Sequence, residues 1–141
     1  MKKYQDITTL LLRVALAAGF LSAVASRFGL WGQRSSGWKN FLAYTSEVNS
    51  FAPAAAVPML AIVSTVFEIT LAMLLLVGFK TRWAALGTGF VTLLFAFAMA
   101  YSFGIKEPLD YSVFAVCTSA FLLAGMPSYR WSIDEILIRN K

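Results

Sequence analysis

The chain has 141 residues, of which 59% are hydrophobic and only 13% charged, with a formal net charge of +5. A soluble domain carries about 25% charged residues, so a water-facing surface of ordinary size is excluded and lipid is the solvent this composition requires. With no histidine and one cysteine, His-ligated haem, most zinc sites, a Ser-His-Asp triad and an internal disulfide are removed as well.

Four apolar segments are predicted to cross a bilayer, at about 7–25, 58–79, 83–103 and 111–126. Backbone groups in lipid must be satisfied within a segment, so the expected fold is all-α, an integral membrane four-helix bundle in a single domain. The first segment begins after Lys2 and Lys3 and contains Ala23-Val24-Ala25, features shared with a signal peptide. Arg13 interrupts its apolar run, however, and it is read as a retained span.

The outer loop, 27–57, starts with Gly29, Gly32 and Gly37. Trp38, Phe41, Leu42 and Val48 then recur at near-helical spacing, which predicts a short amphipathic helix at the interface. Trp31, Trp38 and Tyr44 are expected at headgroup level, the helix acting as an aromatic anchor or as a lid over the bundle mouth. Pro53 and Pro58 bracket the start of the second span.

That span reads PMLAIVSTVFEITLAMLLLVGF, and Glu68 near its centre is its only ionisable residue. A carboxylate at this depth costs about 2.5–3.5 kcal/mol, so it needs a partner, a proton or a cavity and marks a functional site. Ser64 and Thr65 share its side of the helix.

Lys80-Thr81-Arg82 is a tight connection that makes the second and third spans antiparallel neighbours. On the third, Thr88, Thr92, Phe95 and Met99 form a stripe, and Ala85 and Gly89 form a small-x-x-x-small pair for close packing. The connection 104–110 is again tight. Asp110 is expected to cap the fourth span and Tyr111 to sit at the interface; the alternative places both at the outer mouth of a cavity leading to Glu68. On that span Ser112, Ala115 and Ser119 are expected to face inward, and Cys117 is read as a small apolar-site residue. After Pro127, Ser132 and Glu135 have capping-box spacing, predicting an interfacial helix at about 132–139.

Lysines and arginines lie at the ends of the apolar runs rather than in one patch, which favours anionic headgroups and excludes a nucleic-acid partner. Lys2, Lys3, Lys80, Arg82, Arg130, Arg139 and Lys141 fall on one side. Arg27, Arg34, Lys39 and Lys106 fall on the other. Both termini are therefore expected to be cytoplasmic.

On the first span Arg13, Ala17, Phe20 and Val24 share a side. At 1.5 Å per residue, Arg13 lies about 9 Å and Glu68 about 16 Å from the inner edge, a gap an extended arginine can bridge. Side chains lean toward their helix N-termini, which pulls Arg13 and Glu68 apart and tips Arg27 toward Glu68 from further away. Glu68 is thus expected between two cations without pairing directly with either, a gap that water or a polar ligand headgroup would fill.

The stretches FLSAVASRFGLWG (Phe20–Gly32), FEITLAMLLLVGFKTRWAA (Phe67–Ala85) and KEPLDYSVFA (Lys106–Ala115), with the tail WSIDEIL, together resemble the DoxX family of small four-span membrane proteins. The resemblance implies a helical bundle in the bacterial inner membrane. The family is named for a subunit of an archaeal thiosulfate:quinone oxidoreductase, and other members act beside thiol or oxidative-stress systems. Arg13, Arg27, Glu68, Asp110 and Tyr111 fall on recurrent family positions. Many relatives carry an acid before Arg-Phe-Gly, where this chain has Ser26.

The leading expectation is a membrane subunit of a redox-associated complex that binds a quinone or similar isoprenoid lipid between its helices. The expected ligand-binding residues are Glu68, Arg13, Arg27, Thr65, Thr92, Asp110 and Tyr111. Since the chain holds no redox cofactor of its own, a protein partner would supply electrons. The alternatives are a scaffold or assembly factor with a structural Arg–Glu pair, and a small transporter subunit, which would need a homo-oligomer.

Overall fold

The computed structural model describes residues 2–139. Lys141 and the Lys2 side chain, both counted in the charge balance, lie outside what it describes. Seven α-helices follow in order: α1 (Lys2–Arg27), α2 (Gly37–Val48), α3 (Val57–Val77), α4 (Thr81–Phe103), α5 (Lys106–Asp110), α6 (Val113–Ala124) and α7 (Ile133–Arg139). There is no strand among the described residues.

The helices α1, α3 and α4 are long and apolar enough to cross a membrane. Each packs antiparallel to its neighbour, in the ring order α1, α3, α4, α6. The start of α1, the α3–α4 turn and α7 share one end, called here the terminal end. The other, loop end carries α2 and α5. Small residues line the helix contacts: Ala17, Ala72, Ala84, Ala85, Ala120 and Ala124 are buried among Leu16, Leu71, Leu75 and Leu123. In lipid such residues let backbones approach closely, and dispersion replaces the hydrophobic effect as the cohesive force. The expected pair Ala85 and Gly89 does this. A Cβ on Gly89 would lie 2.7 Å from the Phe121 ring, and Cys117 of α6 donates its thiol to the Gly89 carbonyl at 3.3 Å. Leu11, Ile62, Val66, Phe90 and Phe97 face outward, where acyl chains would cover them.

The fourth span differs most from expectation. Instead of a continuous helix over 111–126, the chain forms the short α5, breaks at Ser112 in a left-handed conformation (φ 55°), and resumes as α6, only 12 residues long. Asp110 therefore closes α5 rather than capping α6, and its carboxylate pairs with Lys106. Ala115 faces outward and Ser112 is exposed, while Val113, Cys117 and Ala120 turn inward. The expected inward stripe thus lies one turn-face away from the core.

The terminal end is stitched by side chains onto helix ends. Gly78 ends α3 in the left-handed region (φ 68°), and the N–H groups of Gly78 and Phe79 both go to the Leu74 carbonyl. The Leu75 and Leu76 carbonyls, left without helical partners, accept from Arg13 Nε at 3.0 Å and Nη2 at 3.1 Å. Arg13 Nη1 reaches the Arg130 and Trp131 carbonyls at 3.2 and 3.3 Å. Asp134 of α7 accepts the Lys80 and Thr81 N–H groups at 2.7 Å each, capping α4. Half of the predicted capping box forms: Glu135 N–H donates to Ser132 Oγ, while the Glu135 carboxylate accepts from the N–H of Trp131, one residue before the cap. The Tyr129 hydroxyl bonds the Leu123 and Ala124 carbonyls at the end of α6. Four orphan groups at each helix end are the weak points of a helix, and here distant residues satisfy them.

Candidate functional site: a cavity beneath the first-loop helix

At the loop end, α2 lies across α1, α3 and α4. It is held there by Ser36 N–H donating to Ser26 Oγ at 2.9 Å and by Ser102 Oγ donating to the Val48 carbonyl at 2.6 Å. Its buried side presents Thr45 and Val48, the latter packing with Ala96, Met99 and Val113. Between α2 and the three spans is a cavity of about 710 Å³. Its wall is mostly apolar, with Phe20, Ala23, Leu60, Val63, Phe67, Val91, Leu94 and Phe95 from the spans and Phe41 and Tyr44 from α2. Leu60, Phe67, Leu94 and Phe95 are also exposed, so the cavity opens sideways between α3 and α4, toward the acyl chains.

The charged part of this wall is one pair. Arg27, the last residue of α1, places Nη2 2.9 Å from Glu68 Oε1 and 2.8 Å from Oε2, with the two side chains only 9% and 14% exposed. Nη1 donates to Thr65 Oγ1 at 2.8 Å, one helical turn before Glu68. Phe41 of α2 covers the guanidinium, whose carbon is 3.8 Å from the ring centroid. Such a cation–π contact gains strength when desolvated. Oε1 accepts the arginine's hydrogen bond, and the buried Oε2 is held by the ion pair itself.

The pairing follows from helix direction. Arg27 leans back along α1 and Glu68 leans toward the start of α3, so in antiparallel helices the two heads approach. Arg13 leans the same way as Arg27 but starts nearer the terminal end, so it moves away from Glu68, and the carbonyls at the end of α3 take it. The fully buried Arg13, 1% exposed, is therefore a helix-end clamp and not a neighbour of Glu68. Counting depth alone made Arg13 the nearer cation; α1 running on to Arg27 and the lean of the side chains reverse this.

Of the seven residues expected to bind a ligand, Arg27, Glu68 and Thr92 line the cavity. Thr65 stands directly behind Arg27. Arg13 does not reach it, nor do Asp110 and Tyr111, which lie on and just after α5, both exposed. Sequence reading did not single out Phe41, Tyr44, Thr45 and Asn49 as ligand contacts, although they complete the wall. The periodic apolar face of α2 was the signal, through its reading as a lid. Tyr44 sits outside the spans, its ring against Phe95 and Phe103 at 6.3 and 6.4 Å. Burial first, then the nearby Tyr111, Glu107 and Glu47, push its hydroxyl above the ordinary range, so it remains a neutral donor. No cluster of His, Cys, Asp and Glu able to hold a metal occurs among the described residues.

Comparison with curated proteins and with solved structures returned no match. The DoxX family model matches residues 8–101, well over half of the chain, and these include Arg13, Arg27, Thr65, Glu68 and Thr92. A helical membrane chain that carries this match belongs to the DoxX family.

Proposed function

We propose that this membrane protein binds a quinone or similar isoprenoid lipid in the cavity under α2, as a subunit of a redox-associated complex. The observation that carries the reading is the buried Arg27–Glu68 pair, placed in the wall of an otherwise apolar cavity that opens toward lipid. A long apolar chain can lie between Phe67, Leu94 and Phe95 while a polar head reaches Glu68. Ligand sites have this form, an apolar lining with a few convergent polar groups. A protein partner would deliver electrons, since neither the residue content nor the cavity wall offers an electron carrier. The bundle would sit in a bacterial inner membrane with its terminal end toward the cytoplasm, where Lys3, Lys80, Arg82, Arg130 and Arg139 gather.

Extraction in native membrane discs followed by lipid mass spectrometry tests the reading. A quinone or isoprenoid should co-purify near one per chain, and Glu68→Gln should lose it with helical circular dichroism unchanged. Preparations that retain no amphiphile above the bulk lipid background would refute it. A second reading, a scaffold in which the pair only locks α1 to α3, is favoured by the additional bond from Arg27 to Thr65. It predicts a large loss of thermal stability in Glu68→Gln and no retained ligand in the unaltered protein.

A further inference from the structure

The two ends of α2 are held in different ways. Its last turn is pinned by packing: Val48 is 1% exposed and lies among Ala96, Met99 and Val113. Ser102 Oγ donates to the Val48 carbonyl at 2.6 Å and lies 2.8 Å from Ser50 Oγ. The first turn of α2 has no buried residue. It is held by a hydroxyl contact and by aromatic rings. Ser36 meets Ser26 at the surface, through its N–H at 2.9 Å and through the two hydroxyls at 3.2 Å. Trp38 stacks on the exposed Phe28 at 6.1 Å, and Phe41 lies on Arg27. A surface hydrogen bond exchanges for water at small net cost, whereas a close-packed contact does not. The chain between α1 and α2 also supplies slack. Gly32 and Gly37 have φ of 58° and 74°, and a Cβ on either would meet nothing within 4 Å.

We infer that α2 is a gate that swings about its pinned Val48 end. The Ser26–Ser36 contact parts, and Phe41 lifts away from Arg27. Closed, the gate keeps the side chains of Arg27 and Glu68 only 9% and 14% exposed. Open, it gives the cavity a second mouth at the loop end, through which water or a polar head reaches the pair. The sideways opening between α3 and α4 then serves apolar chains alone. Segments that admit ligands are drawn from the least stable parts of a fold, and the first half of α2 has that character. The gate governs access and stands whichever molecule the cavity takes, so its failure would leave the lipid site untouched.

Ser64 lines the cavity on α3 and serves as the reporter position. The full chain carrying Cys117→Ala and Ser64→Cys, in lipid nanodiscs, is treated with a sulfonated maleimide that stays in water, and modification at position 64 is followed by peptide mass. A second protein adds Ser26→Cys and Ser36→Cys, whose parent oxygens stand 3.2 Å apart, so that a disulfide closes the gate. The minor state of such an equilibrium is about 0.1–10% populated, and a lock that removes it should slow modification by at least about tenfold. Ser26→Ala with Phe41→Leu, in the unlocked protein, removes the hydroxyl contact and the cation–π contact. It should speed modification about tenfold, the effect of about one net interaction, and supplies the answer if the disulfide does not form. Equal rates in the locked and unlocked proteins overturn the gate, because the reagent then arrives without α2 moving. No modification in the unlocked protein overturns it too. A rate untouched by Ser26→Ala with Phe41→Leu would overturn the assignment of the latch to these contacts.

Discussion

Replacing Arg13 by Met should unfold the terminal end while sparing the cavity. The guanidinium makes four hydrogen bonds to carbonyls, two of them in the last turn of α3. Methionine fills similar volume and removes every donor. The Arg130 and Trp131 carbonyls belong to exposed residues and can rehydrate. The Leu75 carbonyl belongs to a residue that is 0% exposed and has no such recourse. The Leu76 carbonyl belongs to a residue 39% exposed and can rehydrate as well. One orphaned buried acceptor costs about 1–3 kcal/mol, and a net loss of about 2 kcal/mol is expected. Unfolding in mixed dodecylmaltoside–dodecylsulfate micelles, followed by circular dichroism, reads this difference. Isoprenoid binding by the folded fraction should match that of the unaltered protein. A variant within about 0.5 kcal/mol of the parent, the range of an ordinary surface substitution, would refute the clamp. Abolished binding at unchanged stability would return Arg13 to the ligand site.

The Arg27–Glu68 pair should behave oppositely in a double-mutant cycle. Arg27→Met and Glu68→Gln each lower stability, Arg27→Met by about 3 kcal/mol because it strands a buried carboxylate, and the double variant loses less than the sum by more than about 1 kcal/mol. Strict additivity would mean that the pair does not couple α1 to α3. Gly78→Ala should destabilise by more than about 2 kcal/mol, beyond the 1–2 kcal/mol left-handed penalty. Its Cβ would lie 2.4 Å from both Arg13 Nη2 and Ser132 Cβ, at φ 68°. A melting temperature equal to that of the parent would contradict this geometry. Burial is the main cause that raises the Tyr129 hydroxyl above its ordinary range, with Arg82 opposing and Asp134 adding to it. Its protonated form is thus favoured in the fold, so its stabilising contribution is complete below about pH 10 and is lost as pH rises through the folded value. Melting temperature should fall in alkaline buffer, and Tyr129→Phe should flatten that fall; an identical pH profile would refute the contribution.

The helices were legible because length and apolarity in a membrane chain leave few choices. Glu68 was legible as a buried charge in need of a partner because ionisable residues are expensive at that depth. The helix cap at Ser132 and the close contact at Gly89 were readable from spacing alone. The partner of Glu68 was not, since it depends on where α1 ends. The run of apolar residues fades near Ala25, yet the helix continues through Arg27. The break at Ser112 was hidden for another reason. A serine in the left-handed region carries no compositional mark, and Asp110-Tyr111 suits a helix start as well as a helix end. Asp110 and Tyr111 were drawn to the site by that misplaced start. Arg13 was drawn to it by depth, a coordinate that ignores which way a side chain leans.

The position of the cavity follows from the unequal ends of the bundle. At the terminal end α3 and α4 are joined by a tight turn, α7 caps that turn through Asp134, and Arg13 ties α1 to it, so the span ends are held together there. At the loop end the long connection between α1 and α3 inserts α2, whose Val48 packs onto α4 and whose Phe41 lies on Arg27. The inserted helix roofs the cavity at this end. The short α6, about 18 Å at 1.5 Å per residue, covers α4 along only part of its length. Charge can be kept in such a place because both partners come from helices that are themselves fixed: α3 by its clamp at the far end, α1 by α3. An arginine at this depth with nothing to bind would be cheaper as leucine or methionine, since replacing a buried pair with apolar residues is often neutral or stabilising. Here the pair stands instead in the wall of an open cavity, and that placement is the observation on which the proposed lipid site rests.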